Sequence, residues 1–385
     1  MRIGIDYTSA ARQRAGIGRY TRELVSALLA LDRGADSPHQ YAIFAATGGL
    51  RPETWNLEPH PHVRLRTIPL TDDWLARLWH RLRLPIPIEI VTGPLDLFYS
   101  PDFVLPPTRR TTRTLLTVHD LSFLHCPEAF VPALRRYLER VVPRSIARAD
   151  LVLADSAHTR SDIVSILGVS SEKVQVLYSG IPAGFRPEPE SGERERLQAR
   201  YDIGAQPYVL SVGTLQPRKN YVRLIRAFAN LKSKTLGPET PQLVIAGGRG
   251  WLYEDIFAEA ENHGQRVRIL GFVDEVDLPA LYRNAALFVF PSLYEGFGLP
   301  VLEAMACGVP VVCSNASSLP EVAGDAALLV DPFDIDGLAE AMRCVLEDAE
   351  LCRTMVARGA TQAARFTWER AARQLVGVFD SLGRI

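Results

Sequence analysis

Short aliphatic or β-branched runs alternate with longer amphipathic stretches along this chain, and the whole alternation runs twice. This constrains the fold more than any other feature. Parallel strands cannot be joined by tight turns and need crossover connections, usually helices, so a strand–helix alternation reads as parallel sheets flanked by helices. In the first series the strands read as Ile3–Tyr7, Tyr41–Ala45, Val63–Ile68, Leu97–Ser100, Arg113–Val118, Leu151–Ala154 and Val174–Leu177, with helices near Gly18–Leu31, Val131–Arg148 and Thr159–Leu167. The second series has strands at Tyr208–Val212, Gln242–Ala246, Val267–Leu270, Leu287–Phe290, Val309–Cys313 and Ala327–Val330. Its helices fall at Tyr221–Leu231, Trp251–Asn262, Leu278–Asn284 and Pro300–Cys307.

Between the two series, the run from Ser179 to Gly192 is rich in glycine and proline and poor in residues that pack a core. Turn formers of this kind mark domain boundaries. The expected organisation is a Rossmann-like domain over 1–183, a linker over 184–206 and a second Rossmann-like domain over 207–366. A C-terminal helix over 367–385, with Thr367 as its N-cap, crosses back to the first domain. A length of 385 residues suits two domains. Two such sheets facing across a cleft place a ligand where open α/β sheets bind them.

Composition excludes several classes. A net charge of −1 gives no bulk attraction to nucleic acid. Residues 1–184 hold 22 basic against 18 acidic side chains, a mild excess that suits an anionic partner or membrane surface. No run approaches the roughly 20 apolar residues of a membrane span. The N-terminus enters a strand at once and lacks the apolar core of a signal peptide, so a cytoplasmic protein is expected. Five scattered cysteines without a CxxC pair point to reduced thiols rather than zinc or disulfides.

The densest chemistry lies at Tyr294-Glu-Gly-Phe-Gly-Leu-Pro-Val-Leu-Glu303, between two apolar strands. Pro300 suits the first turn of a helix, where its missing N–H costs nothing. Amides of Phe297, Gly298 and Leu299 at that helix start form a donor surface for an anionic or hydroxyl-rich ligand. Glu295 precedes this loop and Glu303 lies on the helix. Isolated, such a glutamate pair would be merely solvated, but the order of glycine loop, proline and flanking strands favours a site. A second element, Gly213-Thr-Leu-Gln-Pro-Arg-Lys-Asn220, follows a strand and sets two cations, Arg218 and Lys219, at the start of a helix, as a pyrophosphate clamp would need.

The first of these segments resembles the donor-site motif of glycosyltransferase family 4, retaining enzymes of the GT-B fold, in which two glutamates stand eight positions apart. The resemblance implies that Glu295 contacts the transferred sugar, that the Phe297–Leu299 amides hold its hydroxyls, and that Glu303 accepts from the ribose. Lys219 matches the family lysine. Thr214 stands where a common form of the family has arginine, so Arg218 is left to supply the second charge. Ala15-Gly-Ile-Gly18 resembles the glycine loop of the first domain, placing Gly16 and Gly18 at the donor phosphate. It is no dinucleotide fingerprint, since Thr21 replaces the third glycine. Thr117-Val-His-Asp-Leu-Ser122 resembles the loop whose histidine, here His119, meets the sugar; a structural histidine is the alternative. By the same resemblance Phe272 and Val273 lie near the base.

The implied reaction is retaining transfer of a hexose from a nucleoside diphosphate sugar, GDP-mannose before UDP-sugars, to a glycan or lipid-linked acceptor. The cationic clamp makes a metal cofactor unnecessary, so metal-independent turnover is expected. A GT-B-fold epimerase, a nicotinamide-dependent oxidoreductase and a non-catalytic sugar-nucleotide-binding protein are the competing readings. Finally, on a regular helix Trp74, Leu75, Leu78, Trp79 and Leu82 share one face, opposite Arg77, His80, Arg81 and Arg83. That pattern suits peripheral contact with the inner face of a membrane, or a helix packed on its own domain with a solvated basic side.

Overall fold

A computed structural model describes residues 1–13, 16–32, 39–50, 57, 59–203, 206–231 and 241–384. Ala15 of the glycine loop, and Gly204 and Ala205 of the expected linker, lie outside them. The chain divides into two compact units, one of Met1–Leu121, Arg136–Gly180 and Thr367–Ile385, the other of Ser122–Arg135 and Ile181–Phe366.

The first unit holds seven parallel strands: β1 (Arg2–Asp6), β2 (Gln40–Ala46), β3 (Val63–Ile68), β4 (Leu97–Ser100), β5 (Arg113–Val118), β6 (Leu151–Ala154) and β7 (Val174–Val176). Their order is β3-β2-β1-β4-β5-β6-β7, which winds outward in both directions from the boundary between β1 and β4. β4 and β6 are buried at every position, as strands covered on both faces must be. The C-terminal helix, Trp368–Gly383, buries Trp368, Ala371, Ala372, Leu375, Val378, Phe379 and Leu382. That spacing is one stripe of a 3.6-residue period, and the stripe joins Leu24, Val25 and Leu28 of the helix Ile17–Leu31 in the core of this unit. Each fully buried leucine contributes on the order of 2 kcal/mol. Thr367 caps the helix by accepting the amide of Arg370 at 3.2 Å.

In the second unit β8 (Tyr208–Val212), β9 (Gln242–Ala246), β10 (Val267–Gly271), β11 (Leu287–Phe290), β12 (Val311–Ser314) and β13 (Ala327–Val330) form a second parallel sheet. Its order, β10-β9-β8-β11-β12-β13, has its own switch point between β8 and β11. The loops after these two strands therefore leave the sheet side by side and run to opposite faces, which opens a crevice at their carboxyl ends.

Two expectations need correction. The span 184–206 is not a bare linker, because Glu193–Tyr201 is helical and belongs to the second unit. Its hydrophobic signal is weak, with Leu197 its fully buried aliphatic side chain. Charges hold it instead: Arg283 grips Glu193 at 2.7 Å, and the wholly buried Asp277 accepts from Arg196 at 2.7 Å and Tyr201 at 2.8 Å. The segment around Trp74 is not a regular amphipathic helix either. A turn of α-helix at Asp72–Leu75 passes into a π-helical turn at Ala76–Arg81. The wider turn breaks the 100° step on which the single apolar face depends. Leu75 points inward, whereas Trp74 is 51% and Leu82 65% exposed.

Candidate active site

The crevice of the second sheet is built by the loops after β8 and β11. The β8 loop is pinned from outside: Leu215 donates to the Gly248 carbonyl at 2.9 Å and Gly250 donates back to that of Leu215 at 3.0 Å. Thr214 sits in this loop with its methyl toward Gly250. A single 3₁₀ turn, Pro217–Lys219, then turns Arg218 and Lys219 toward the β11 loop, and Asn220 follows in a left-handed conformation, φ 62°. Asn220 is buried and its side-chain amide donates to the carbonyls of Pro291 at 3.0 Å and Pro332 at 2.7 Å, which ties the two loops together.

The result is a buried charge cluster. Lys219 Nζ lies 2.7 Å from Glu295 Oε1, and Arg218 Nη1 lies 2.9 Å from Glu295 Oε2. Arg218 also donates to the carbonyl of Tyr294, and Lys219 stands 4.6 Å from the centroid of the Phe290 ring. Burial works to raise the pKa of Glu295, but the charges of Arg218 and Lys219 overcome it and hold the carboxyl at about 2. Removing one partner from a buried ion cluster leaves a charge without compensation, so these three side chains depend on one another.

The peptide of Glu295 is clamped as well. Its amide donates to Ser317 Oγ at 2.8 Å, and its carbonyl accepts from Ser318 Oγ at 2.9 Å. Ser318 also donates to the carbonyl of Phe297 at 2.7 Å. Ser317 takes a left-handed conformation, φ 54°, a strained geometry for a residue with a Cβ and one that tends to mark functional loops. Neither serine is marked by spacing in the sequence.

Gly298 opens the following helix, Leu299–Ala306, at φ 117°, and a Cβ there would meet Leu319 Cδ2 at 2.7 Å. Only glycine serves at that position. The Phe297 ring goes into the core, 5.6 Å from that of Phe366, which leaves its backbone as the part available to a ligand. Glu303 projects from the helix and is 2% exposed, with its carboxylate accepting from Tyr282 Oη at 3.0 Å. Phe272 and Val273 follow β10, at the far edge of the sheet; Phe272 is 46% exposed and Val273 is buried.

The remaining expected residues belong to the first unit. Gly16 turns the chain into the helix Ile17–Leu31 with φ 58°. At Gly18 a Cβ would lie 2.2 Å from the carbonyl of Gln13, so this close approach requires glycine. His119 follows β5, beside the switch point of its own sheet, and both its ring nitrogens are engaged. Nδ1 faces Asp155 Oδ2 at 2.7 Å and Nε2 faces the carbonyl of Pro101 at 3.1 Å. Burial pulls its pKa down, but the charge and hydrogen bond of Asp155 dominate and raise it to about 9. Acceptors at both nitrogens favour the protonated ring. A sugar hydroxyl reaches Nε2 only by taking the place of the Pro101 carbonyl. Asp6, at the end of β1, is pushed up to about 6 by burial against the pull of Thr8.

Among the described residues no three His, Cys, Asp or Glu side chains gather as a metal site. Nor is any described helix long and apolar enough to cross a membrane.

Comparisons with known proteins bear on the family and the fold. The profile for glycosyl transferases group 1 matches residues 193–362, and that for glycosyltransferase family 4 matches 14–185. The O-antigen chain mannosyltransferase B of Escherichia coli is 37% identical over 289 residues, 74% of either chain. The serotype-specific mannosyltransferase WbdA of Escherichia coli is 32% identical over 277 residues, and the aligned region is about a third of that relative's length (70% of this chain and 34% of that one). Sucrose-phosphate synthase from Thermosynechococcus elongatus superposes with a TM-score of 0.75 over 99% of both chains at 23% identity, a likeness of fold.

Proposed function

The chain belongs to the group 1 glycosyltransferases of family 4 and carries their GT-B fold, and on that premise we propose that it moves mannose from GDP-mannose to a hydroxyl of a glycan or glycolipid. The observation that carries this reading is the buried cluster of Arg218, Lys219 and Glu295 at the switch point of the second sheet. Two fixed cations beside a clamped carboxylate suit a substrate whose diphosphate departs as negative charge while positive charge grows on the sugar ring. The name of the mannosyltransferase relative favours mannose and hence a GDP-linked donor; UDP-sugars are the next choice.

In this reading Arg218 and Lys219 hold the diphosphate, Glu303 the ribose, and the backbone of Phe297–Leu299 the sugar hydroxyls. Thr214, Phe272 and Val273 lie beside the nucleotide, and Gly16, Gly18 and His119 serve the donor phosphate and sugar from the first unit. The bond from the anomeric carbon to the phosphate oxygen breaks, the acceptor oxygen bonds to that carbon on the same face, and the acceptor proton passes to the departing phosphate. Configuration is retained, and no metal is needed because protein cations take its place. Trp74, exposed under the Arg77 guanidinium at 5.0 Å, and Trp79, whose indole N–H donates to the Ile86 carbonyl at 3.0 Å, supply a peripheral membrane contact for a lipid-linked acceptor.

The test is a thermal-shift screen of GDP, UDP, ADP and their sugars, since a ligand of the native state raises the melting temperature. Turnover with mannosyl acceptors follows, with the anomeric configuration of the product read by NMR. Stabilisation by UDP alone would overturn the GDP-mannose assignment, and an inverted product would overturn retention.

A further inference from the structure

The stretch Ser122–Arg135 is flanked on both sides by first-unit chain, yet it packs in the second unit. Two contacts anchor it there. The Trp251 indole N–H donates to the carbonyl of Ala129 at 2.7 Å, with the Phe130 ring 5.7 Å from that of Trp251. Ahead of this anchor, His125 ends the short helix Ser122–His125 and stacks on Tyr294, ring centroids 4.6 Å apart and planes 18° from parallel.

Tyr294 immediately precedes Glu295. The residue is 4% exposed, and its carbonyl accepts from Arg218. Leu293, one residue earlier, donates its amide to the carbonyl of Arg218 at 2.9 Å. The backbone of this loop is thus fixed by Arg218 on one side and by Ser317 and Ser318 on the other. The Tyr294–Glu295 peptide is held at its carbonyl by Arg218 and at its amide by Ser317, and the Tyr294 ring, with the flat face of His125 against it, braces the same segment from the side. A small rotation here moves a carboxylate that must meet a reacting centre, and misplacement by fractions of an ångström lowers rate.

We propose that His125 is a positioning residue for glycosyl transfer, holding the Glu295 carboxylate in register by stacking on Tyr294. The inference rests on the transferase reading given above. What matters is the planar ring, not its charge. Cys126 to Phe130 give His125 a fixed footing through the Trp251 anchor, so the stack is braced from behind.

Steady-state kinetics of four variants in the full-length chain test it. His125→Ala lowers kcat by about 3- to 10-fold, the rate equivalent of one aromatic pair, with donor KM and nucleoside diphosphate affinity unchanged. His125→Phe keeps the flat ring and restores kcat. In a Tyr294→Leu background, His125→Ala has no further effect, because the two residues act as one unit. An unchanged kcat in His125→Ala, a failure of phenylalanine to rescue, or additive losses in the double variant would each overturn the proposal. A wild-type chain that turns over no nucleotide sugar refutes the transferase reading itself, whereas an active wild type with an indifferent His125→Ala refutes the stack alone.

Discussion

Lys219 and Glu295, 76 positions apart in sequence, meet with 2.7 Å between ammonium and carboxylate. They arrive from the loops of β8 and β11, the one adjacent pair of strands in this sheet whose connections run to opposite faces. The carboxylate compensates the two cations, and in the proposed reading it has a second task, to face the sugar.

Glu295→Gln separates these tasks. The amide keeps the volume but withdraws the negative charge from Arg218 and Lys219. We expect kcat to fall about 10²-fold or more, taking a few kcal/mol of lost transition-state stabilisation as the scale. Nucleoside diphosphate affinity holds or tightens, because both cations are now freed for the ligand. Steady-state kinetics with calorimetric titration of the free nucleotide check both halves, and a variant that loses affinity while keeping kcat contradicts them.

Lys219→Ala acts in the opposite direction on binding. It removes one of the two charges offered to the diphosphate, and affinity should drop by about 1.5–3 kcal/mol, the range for a charge-assisted hydrogen bond. Calorimetry reads this directly, and an unchanged dissociation constant would place the diphosphate elsewhere.

In the proposed reading Glu303 holds the ribose, a part of the donor that does not change during reaction, so its contribution is equal in ground and transition states. Glu303→Ala should raise donor KM and leave kcat nearly intact. Tyr282→Phe removes the hydroxyl that orients Glu303 and should do the same to a smaller degree, about 1 kcal/mol or fivefold in KM. A fall in kcat with constant KM in either variant would assign Glu303 to the reacting sugar.

The parts of this site that rest on local pattern were legible in the sequence. Glycine at 298, proline at 300 and the apolar strands around them each answer to a backbone rule, and the loop, helix and strand appear where those rules place them. What pattern cannot show is a partner brought by the sheet. Ser317 and Ser318 look like any turn until β12 lies next to β11 and their hydroxyls reach the Glu295 peptide. Asp155 likewise reads as a polar residue after a strand, although it sets the charge of His119. The helix Glu193–Tyr201 was hidden because ion pairs, which leave no periodic signature, do what apolar stripes do elsewhere.

Metal chelation tests the cationic clamp as a whole. In the proposed reading Arg218 and Lys219 do for the departing diphosphate what a divalent ion would otherwise do. Turnover should survive excess EDTA at the wild-type rate. Loss of activity on chelation, restored by Mg²⁺ or Mn²⁺, would show that the clamp does not suffice.

The His119–Asp155 pair makes stability depend on pH in a defined direction. The folded pKa of His119, about 9, lies above the ordinary histidine value near 6.5. A group whose pKa is raised on folding favours the folded state while it is protonated in both states, below about pH 6.5. That contribution is lost as pH climbs through about 9, where the native ring must also release its proton. Glu295 behaves in the opposite sense: its folded pKa of about 2 lies below the usual carboxylate range, so its contribution is present above pH 4.5 and fades as pH falls toward 2. Between pH 6.5 and 9 the histidine is thus the group that matters of the two, and the wild-type melting temperature should decline across that window. Asp155→Asn removes the charge that raises the His119 pKa while keeping the shape of the side chain. The variant should start less stable at pH 6.5 and show a flatter profile up to pH 9. Urea denaturation at several pH values gives the free energies directly, and a slope unchanged by Asp155→Asn would mean that the proton on His119 is held by something other than Asp155.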